Sequence, residues 1–259
     1  MNRFAVFLSI VSLVFIGPVS AQEAEVKQPQ VSPEEAAAIV KETVAKARQY
    51  LGGEKALNAV KSIHYKGVLV YGNGQSGTIE SIFMKPNYHQ AISVIGNQKE
   101  TSTLNRTEAW QKVERVDQPG SWTLNIYQLQ ELRAMQATVA DTLSFLNTPP
   151  VRNGRIEYLG TETIDGRELV VLYYAHGRSR GFHRYIDRET GEVVHMINQN
   201  GAIMTTSGEQ WVDGVRFPEK LVAKFITQFG VQTIEITYTS IDINESFDTD
   251  RFNVPVLTE

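Results

Sequence analysis

Apolar and polar residues alternate in steps of two along most of this chain, and recur in steps of three and four in only two places. The first period belongs to half-buried strands and the second to amphipathic helices. The clearest period-two block covers residues 181–228. Segments 182–187, 192–199, 202–212 and 215–228 are separated by Arg188-Glu189-Thr190-Gly191, Asn200-Gly201 and Asp213-Gly214. Asn-Gly and Asp-Gly accept positive φ at both central positions of a tight hairpin. The block therefore predicts a meander of four antiparallel strands.

Similar segments flank it. Residues 63–71, 77–84, 88–95, 98–104, 108–113 and 121–126 precede the middle of the chain, and 155–163, 169–175 and 231–243 complete the set. In the first, Ile63, Tyr65, Leu69 and Tyr71 oppose His64 and Lys66. In the last, Ile234, Ile236 and Tyr238 take one face and Thr233, Glu235 and Thr237 the other. Residues 169–174 read Leu-Val-Val-Leu-Tyr-Tyr, which predicts a strand covered on both faces.

The two helical stretches are equally distinct. Ser32-Pro33-Glu34-Glu35 sets a cap, a first-turn proline and a capping-box glutamate. Val40, Val44, Ala47 and Leu51 then form one stripe, ended by Gly52-Gly53, and a short second helix follows over 54–60. Residues 127–146 change period in mid-sheet. Leu132, Met135, Val139, Leu143 and Leu146 lie at helical spacing, with no Gly or Pro until Pro149-Pro150. About eleven antiparallel strands without βαβ alternation give a mainly β fold with helices (α+β). A sheet of that breadth curls. The expected architecture is a half-open curved antiparallel β-barrel with a helical lid, one domain over 32–255. Phe252 is the anchor of its last segment, and 256–259 are a tail.

The ends and the composition narrow the setting. Arg3, the apolar run 4–16, Gly17-Pro18 and Val19-Ser20-Ala21 make a secretory signal peptide over 1–21. The polar stretch 22–31 reads as a disordered spacer. There is no cysteine, which removes disulfides, thiol chemistry and a lipid-modified cysteine. A soluble periplasmic protein without a transmembrane span is expected. The net charge of −4 argues against nucleic acid as a partner.

Catalytic chemistry is not indicated. Neither a G-x-S-x-G, an H-E-x-x-H nor a phosphate-binding glycine loop occurs. Asp187, Glu189 and Glu192 fall in a hairpin turn, where acids are common, so no enzyme, cofactor or metal is expected. Of five histidines, His183 and His195 share a hairpin. Pairing Asp187 with Glu192 sets His183 opposite Met196 and His195 opposite Arg184, on opposite faces; a one-residue bulge would reverse that. His176, Arg178, Arg180, His183, Arg184 and Arg188 form a basic patch suited to lipid headgroups or an acidic partner.

The order of several turn and strand motifs is informative together. Tyr50-Leu51-Gly52-Gly53, Val60-Lys61-Ser62-Ile63, Leu159-Gly160-Thr161-Glu162, Tyr185-Ile186-Asp187, Asp213-Gly214-Val215-Arg216-Phe217-Pro218 and Phe252-Asn253-Val254-Pro255 resemble the LolA/LolB-like superfamily, in particular its periplasmic outer membrane lipoprotein-sorting relatives. The resemblance spans roughly 32–255. It implies an apolar cavity under a helical lid, lipid or lipoprotein acyl chains as ligand, and inner- or outer-membrane donor and acceptor proteins. A sensor or interaction module that binds a partner protein with the same fold is the alternative. Tyr71, Ile82, Trp110, Trp122 and Tyr127 are candidate ligand contacts, with Tyr173, Tyr185, Phe225 and Tyr238. From the lid come Leu132, Met135, Val139 and Leu143, where a methionine adapts to variable chain shapes.

Overall fold

The computed structural model describes residues 31–147, 154–177, 181–227 and 230–255. The signal segment, all but the last residue of the spacer, Arg178, Arg180 and the tail 256–259 lie outside the described residues. Helix α1 spans Pro33–Tyr50 and α2 spans Glu54–Ala59. The strands before the middle are β1 (Ser62–Tyr71), β2 (Ser76–Met84), β3 (Tyr88–Ile95), β4 (Gln98–Asn105), β5 (Glu108–Arg115) and β6 (Trp122–Ile126). Helix α3 is a single element, Leu129–Ser144. Then come β7 (Arg155–Ile164), β8 (Arg167–Ala175), β9 (Phe182–Asp187), β10 (Val193–Ile197), β11 (Ile203–Ser207), β12 (Gln210–Val212), β13 (Val215–Phe217), β14 (Lys220–Thr227) and β15 (Gly230–Ile243).

Thirteen of these strands form one antiparallel sheet, in the order β6-β5-β4-β3-β2-β1-β15-β14-β11-β10-β9-β8-β7. Its two free edges, β6 and β7, are joined in sequence by α3. The helix thus crosses the opening that the curled sheet leaves. One device keeps the long central pair in phase. A bulge at Lys66/Gly67 shifts the register between β1 and β15, from Lys66↔Ser240 to Gly67↔Tyr238. Ile234, Ile236 and Tyr238 then share a face with Ile241 and Ile243. Gly67 is required there, because a Cβ would meet the Thr237 carbonyl oxygen at 2.6 Å.

The predicted meander needs one correction. Residues 202–212 and 215–228 are not two continuous strands. Each breaks, near Gly208 (φ +67°) and at Pro218, and the inner pieces β12 and β13 leave the sheet as a separate two-stranded ribbon. β11 consequently pairs with β14. The Asp213-Gly214 turn forms as expected, with φ of 48° and 79°. What draws the ribbon away is its apolar inner face: Val215 and Phe217 are buried in the core under α2. The Arg216 N–H also donates to the Leu51 carbonyl at 2.9 Å.

The helices form where their caps and stripes place them. Ser32 accepts from the Glu35 N–H at 3.2 Å. Ala47 of α1 is fully buried beside Val170, Leu172 and Tyr174 of β8. Leu169 and Val171, on the other face of β8, are buried as well, as the doubly apolar run requires. The C-terminal 3-10 turn, Thr249–Phe252, lies on the convex side. There Phe252 is 0% exposed and packs with Ile82 and Tyr88. Burial of such a side chain contributes about 2 kcal/mol.

Candidate ligand-binding cavity

Between the concave face of the sheet and α3 lies a cavity of about 690 Å³, within the usual range for small-molecule sites. Strand register decides which side chains reach it. Tyr65, Ile79, Phe83 and Ala91 come from β1–β3, and Leu221, Ile236 and Tyr238 from β14 and β15. Phe182, Met196 and Met204 come from the other half, with Met196 and Met204 directly paired across β10 and β11. The Tyr65 and Tyr238 rings meet at 5.1 Å. Burial pushes the Tyr238 hydroxyl up to about 12 and the Tyr65 hydroxyl higher still, with Tyr238 adding to the second shift. Both phenols stay neutral at any physiological pH.

Helix α3 presents Ala134, Met135, Thr138, Asp141 and Thr142 to the cavity. Its neighbouring side, Val139 and Leu143 with Leu132 beside them, packs into the main core with Leu57, Ile63, Phe83, Leu104 and Phe217, and Met135 on the border between the two sides touches both. The helix is held at both ends. At its start Gln128 and Glu131 form a capping box. At its C-terminus buried Arg48 of α1 donates to the Ser144 and Phe145 carbonyls at 2.9 and 2.7 Å, and Glu54 engages the same guanidinium. Gln199 ties the polar side down, donating to the Ala134 carbonyl at 2.7 Å and to Thr138 Oγ1 at 3.0 Å.

Charges on the wall are few. Arg184, 5% exposed, pairs with Asp141 of α3, and His176 Nε2 lies 3.1 Å from the other Asp141 oxygen. Arg216 pairs with Glu209 and stacks over Tyr50 with its guanidinium 4.0 Å from the ring centre. Glu192 is tied through Arg167 to Asp187. Burial on its own would raise the Asp187 carboxyl, but hydrogen bonds from Thr190 and Arg167 outweigh it and hold the group at about 2. These acids staple a turn, as its composition suggests.

The candidate residues fall into three groups. Met135 and Tyr238 line the cavity. Leu132, Val139, Leu143 and Tyr127 belong to the closed core beside it, and Tyr71 and Phe225 to a plug with Leu69 and Ile234 at one end. The others are corrected in position, because they sit at the edge or on the convex face. Ile82 is covered by Phe252, and Trp110 Nε1 donates to the Phe252 carbonyl at 3.1 Å. Trp122, on edge strand β6, packs under Lys112. Tyr173 meets His183 at a tilt, and Tyr185 meets His195 edge-on.

The histidine pairing also differs from the simple register. A bulge between Val193 and His195 pairs His195 with Tyr185 and His183 with Ile197, so both rings share the convex face. Of the described arginines of the basic patch, Arg184 faces the cavity, while Arg188 is exposed and bound to Glu168. Tyr65, Phe182, Met196 and Met204 are wall residues that alternation alone did not single out for ligand contact, and Arg184 joins them from the basic patch. His64, Asp242 and Glu245 approach closely enough to share an ion. Both His64 ring nitrogens, however, already meet Glu245 and Glu80, at 2.5 and 2.9 Å.

A curled open sheet, a helix across the opening and a cavity beneath it define a half-open antiparallel barrel with a helical lid. Among solved structures, the fold is similar to that of a DUF1329 family protein from Desulfovibrio piger, with a TM-score of 0.52 at 10% identity over 83% of this chain and 97% of that one. A LolA superfamily protein from Nitrosomonas europaea aligns over 85% of this chain and 97% of its own at 10% identity and a TM-score of 0.49. Identity this low speaks to fold alone. No known family profile and no curated protein matches the chain. No described helix is long and apolar enough to cross a membrane.

Proposed function

We propose that this protein is a periplasmic carrier that binds lipid or lipoprotein acyl chains and moves them toward the outer membrane. The observation that carries the reading is the cavity of about 690 Å³, whose wall of methionines, aromatics and aliphatics is interrupted by a polar side from α3 and segments 198–200 and 206–209. Each methylene buried there contributes about 0.8 kcal/mol, so a long chain binds without polar recognition. The paired Met196 and Met204 suit a variable cargo. Release must not require swinging α3 bodily outward. That would expose Leu132, Met135, Val139 and Leu143, at about 2 kcal/mol each. Ser207, Gly208 and Glu209 line the cavity and are exposed, and exchange is assigned to that segment. Gentle purification followed by mass spectrometry of extracted lipid tests the reading. Co-purifying acyl lipid is expected; a protein free of lipid that also ignores fluorescent acyl probes overturns it.

A further inference from the structure

Among the charged side chains that line the cavity, Arg184 is one of the most deeply set. It is 5% exposed and lines the cavity. Its guanidinium carries five N–H donors. Only two contacts use them among the described residues: Nη1 to the His183 carbonyl at 3.1 Å, and Nη2 to Asp141. A planar acid group matches the fork of a guanidinium. Asp141 is held a second time by His176, so it keeps a partner if the guanidinium turns. The Tyr174 hydroxyl, which is buried and has no hydrogen-bond partner, adds a polar group in the core behind.

Building on the carrier reading, we infer that the cavity takes an amphiphile with a free carboxylate, which Arg184 receives in competition with Asp141. The tail then lies along Met196, Met204 and Leu221, and the acid group stays inside rather than at the rim. Binding also draws charge away from the Arg184–Asp141 bridge, the one ion pair that joins α3 to β9 among the described residues.

The test compares a medium-chain fatty acid with its methyl ester by titration calorimetry at neutral pH. The unmodified protein is expected to favour the acid by about tenfold, the worth of one charge-assisted hydrogen-bonded pair. Asp141→Asn removes the competitor and raises the acid-to-ester ratio; Arg184→Met brings it to about one. Should Arg184→Met fail to fold, the near-isosteric Asp141→Asn decides alone. Equal affinity for acid and ester, or a ratio that Asp141→Asn leaves unmoved, overturns this inference while the carrier reading stands. Binding of neither compound overturns the carrier reading itself.

Discussion

The two sides of α3 have different tasks. One carries Met135, Val139 and Leu143 into a packed cluster with Leu57, Ile63, Phe83 and Leu104. The other carries Ala134, Thr138, Asp141 and Thr142 over the cavity. The first side is strongly apolar and closed. The second is small and half polar, and it is held off the sheet by Gln199, Arg184 and the Arg48 cap rather than by packing. A helix that was apolar all round would collapse onto the concave face and fill it. The cavity is preserved because the side of the helix over it carries small and polar residues that are held by hydrogen bonds rather than packed onto the sheet.

The largest expected effect breaks the anchored side. Leu143→Ala removes a side chain that is 5% exposed in the core cluster, at a cost of about 3 kcal/mol. For a domain this large that is a fall in Tm of roughly 9 °C, read by calorimetry. Acid acts next, at the turn after β9 beside α1. Asp187 is held at about 2 in the fold, below its ordinary value near 4. Its contribution is present above the ordinary value and is lost as pH falls from about 4 to about 2. Denaturant titrations should show a loss of about 2 kcal/mol across that window, absent in Asp187→Asn. Equal acid sensitivity in the variant would remove the turn staple from the account.

Much of this was readable in the residues. Ser32-Pro33 fixes where α1 begins, and the Asp213-Gly214 turn forms as its dipeptide predicts, whereas Asn200-Gly201 falls in a longer loop between Ile197 and Ile203 in which Gly201 takes positive φ and Asn200 does not. The alternation of Ile234, Ile236 and Tyr238 gives the concave face correctly. Three things escaped, each for a physical reason. Breaks at Gly208 and Pro218 detach β12 and β13, since a ribbon that buries Val215 and Phe217 gains more than two longer sheet strands would. The bulge at Val193/His195 inverts the histidine pairing, and no local signal marks it. Above all, alternation reports which face is buried, not whether it is filled. Val139 and Met135 obey the same helical period, yet of the two only Met135 reaches the cavity.

That distinction is where the smallest perturbation says most. Ala134 faces the cavity from the uncommitted side of α3. Ala134→Phe places a ring where no protein atom competes for the space, so the overpacking penalty of about 1–3 kcal/mol seen in filled cores does not apply. Stability should change by less than about 1 kcal/mol. A ring that displaces as few as two methylenes of a bound chain removes about 1.6 kcal/mol of burial, a little over tenfold in affinity for a fluorescent acyl probe. Leu143→Ala should do the reverse, lowering Tm with little change in probe affinity at a temperature where both variants remain folded. If Ala134→Phe instead destabilises as much as Leu143→Ala, the two sides of α3 are equally packed in solution. The concave face then has no room for a ligand.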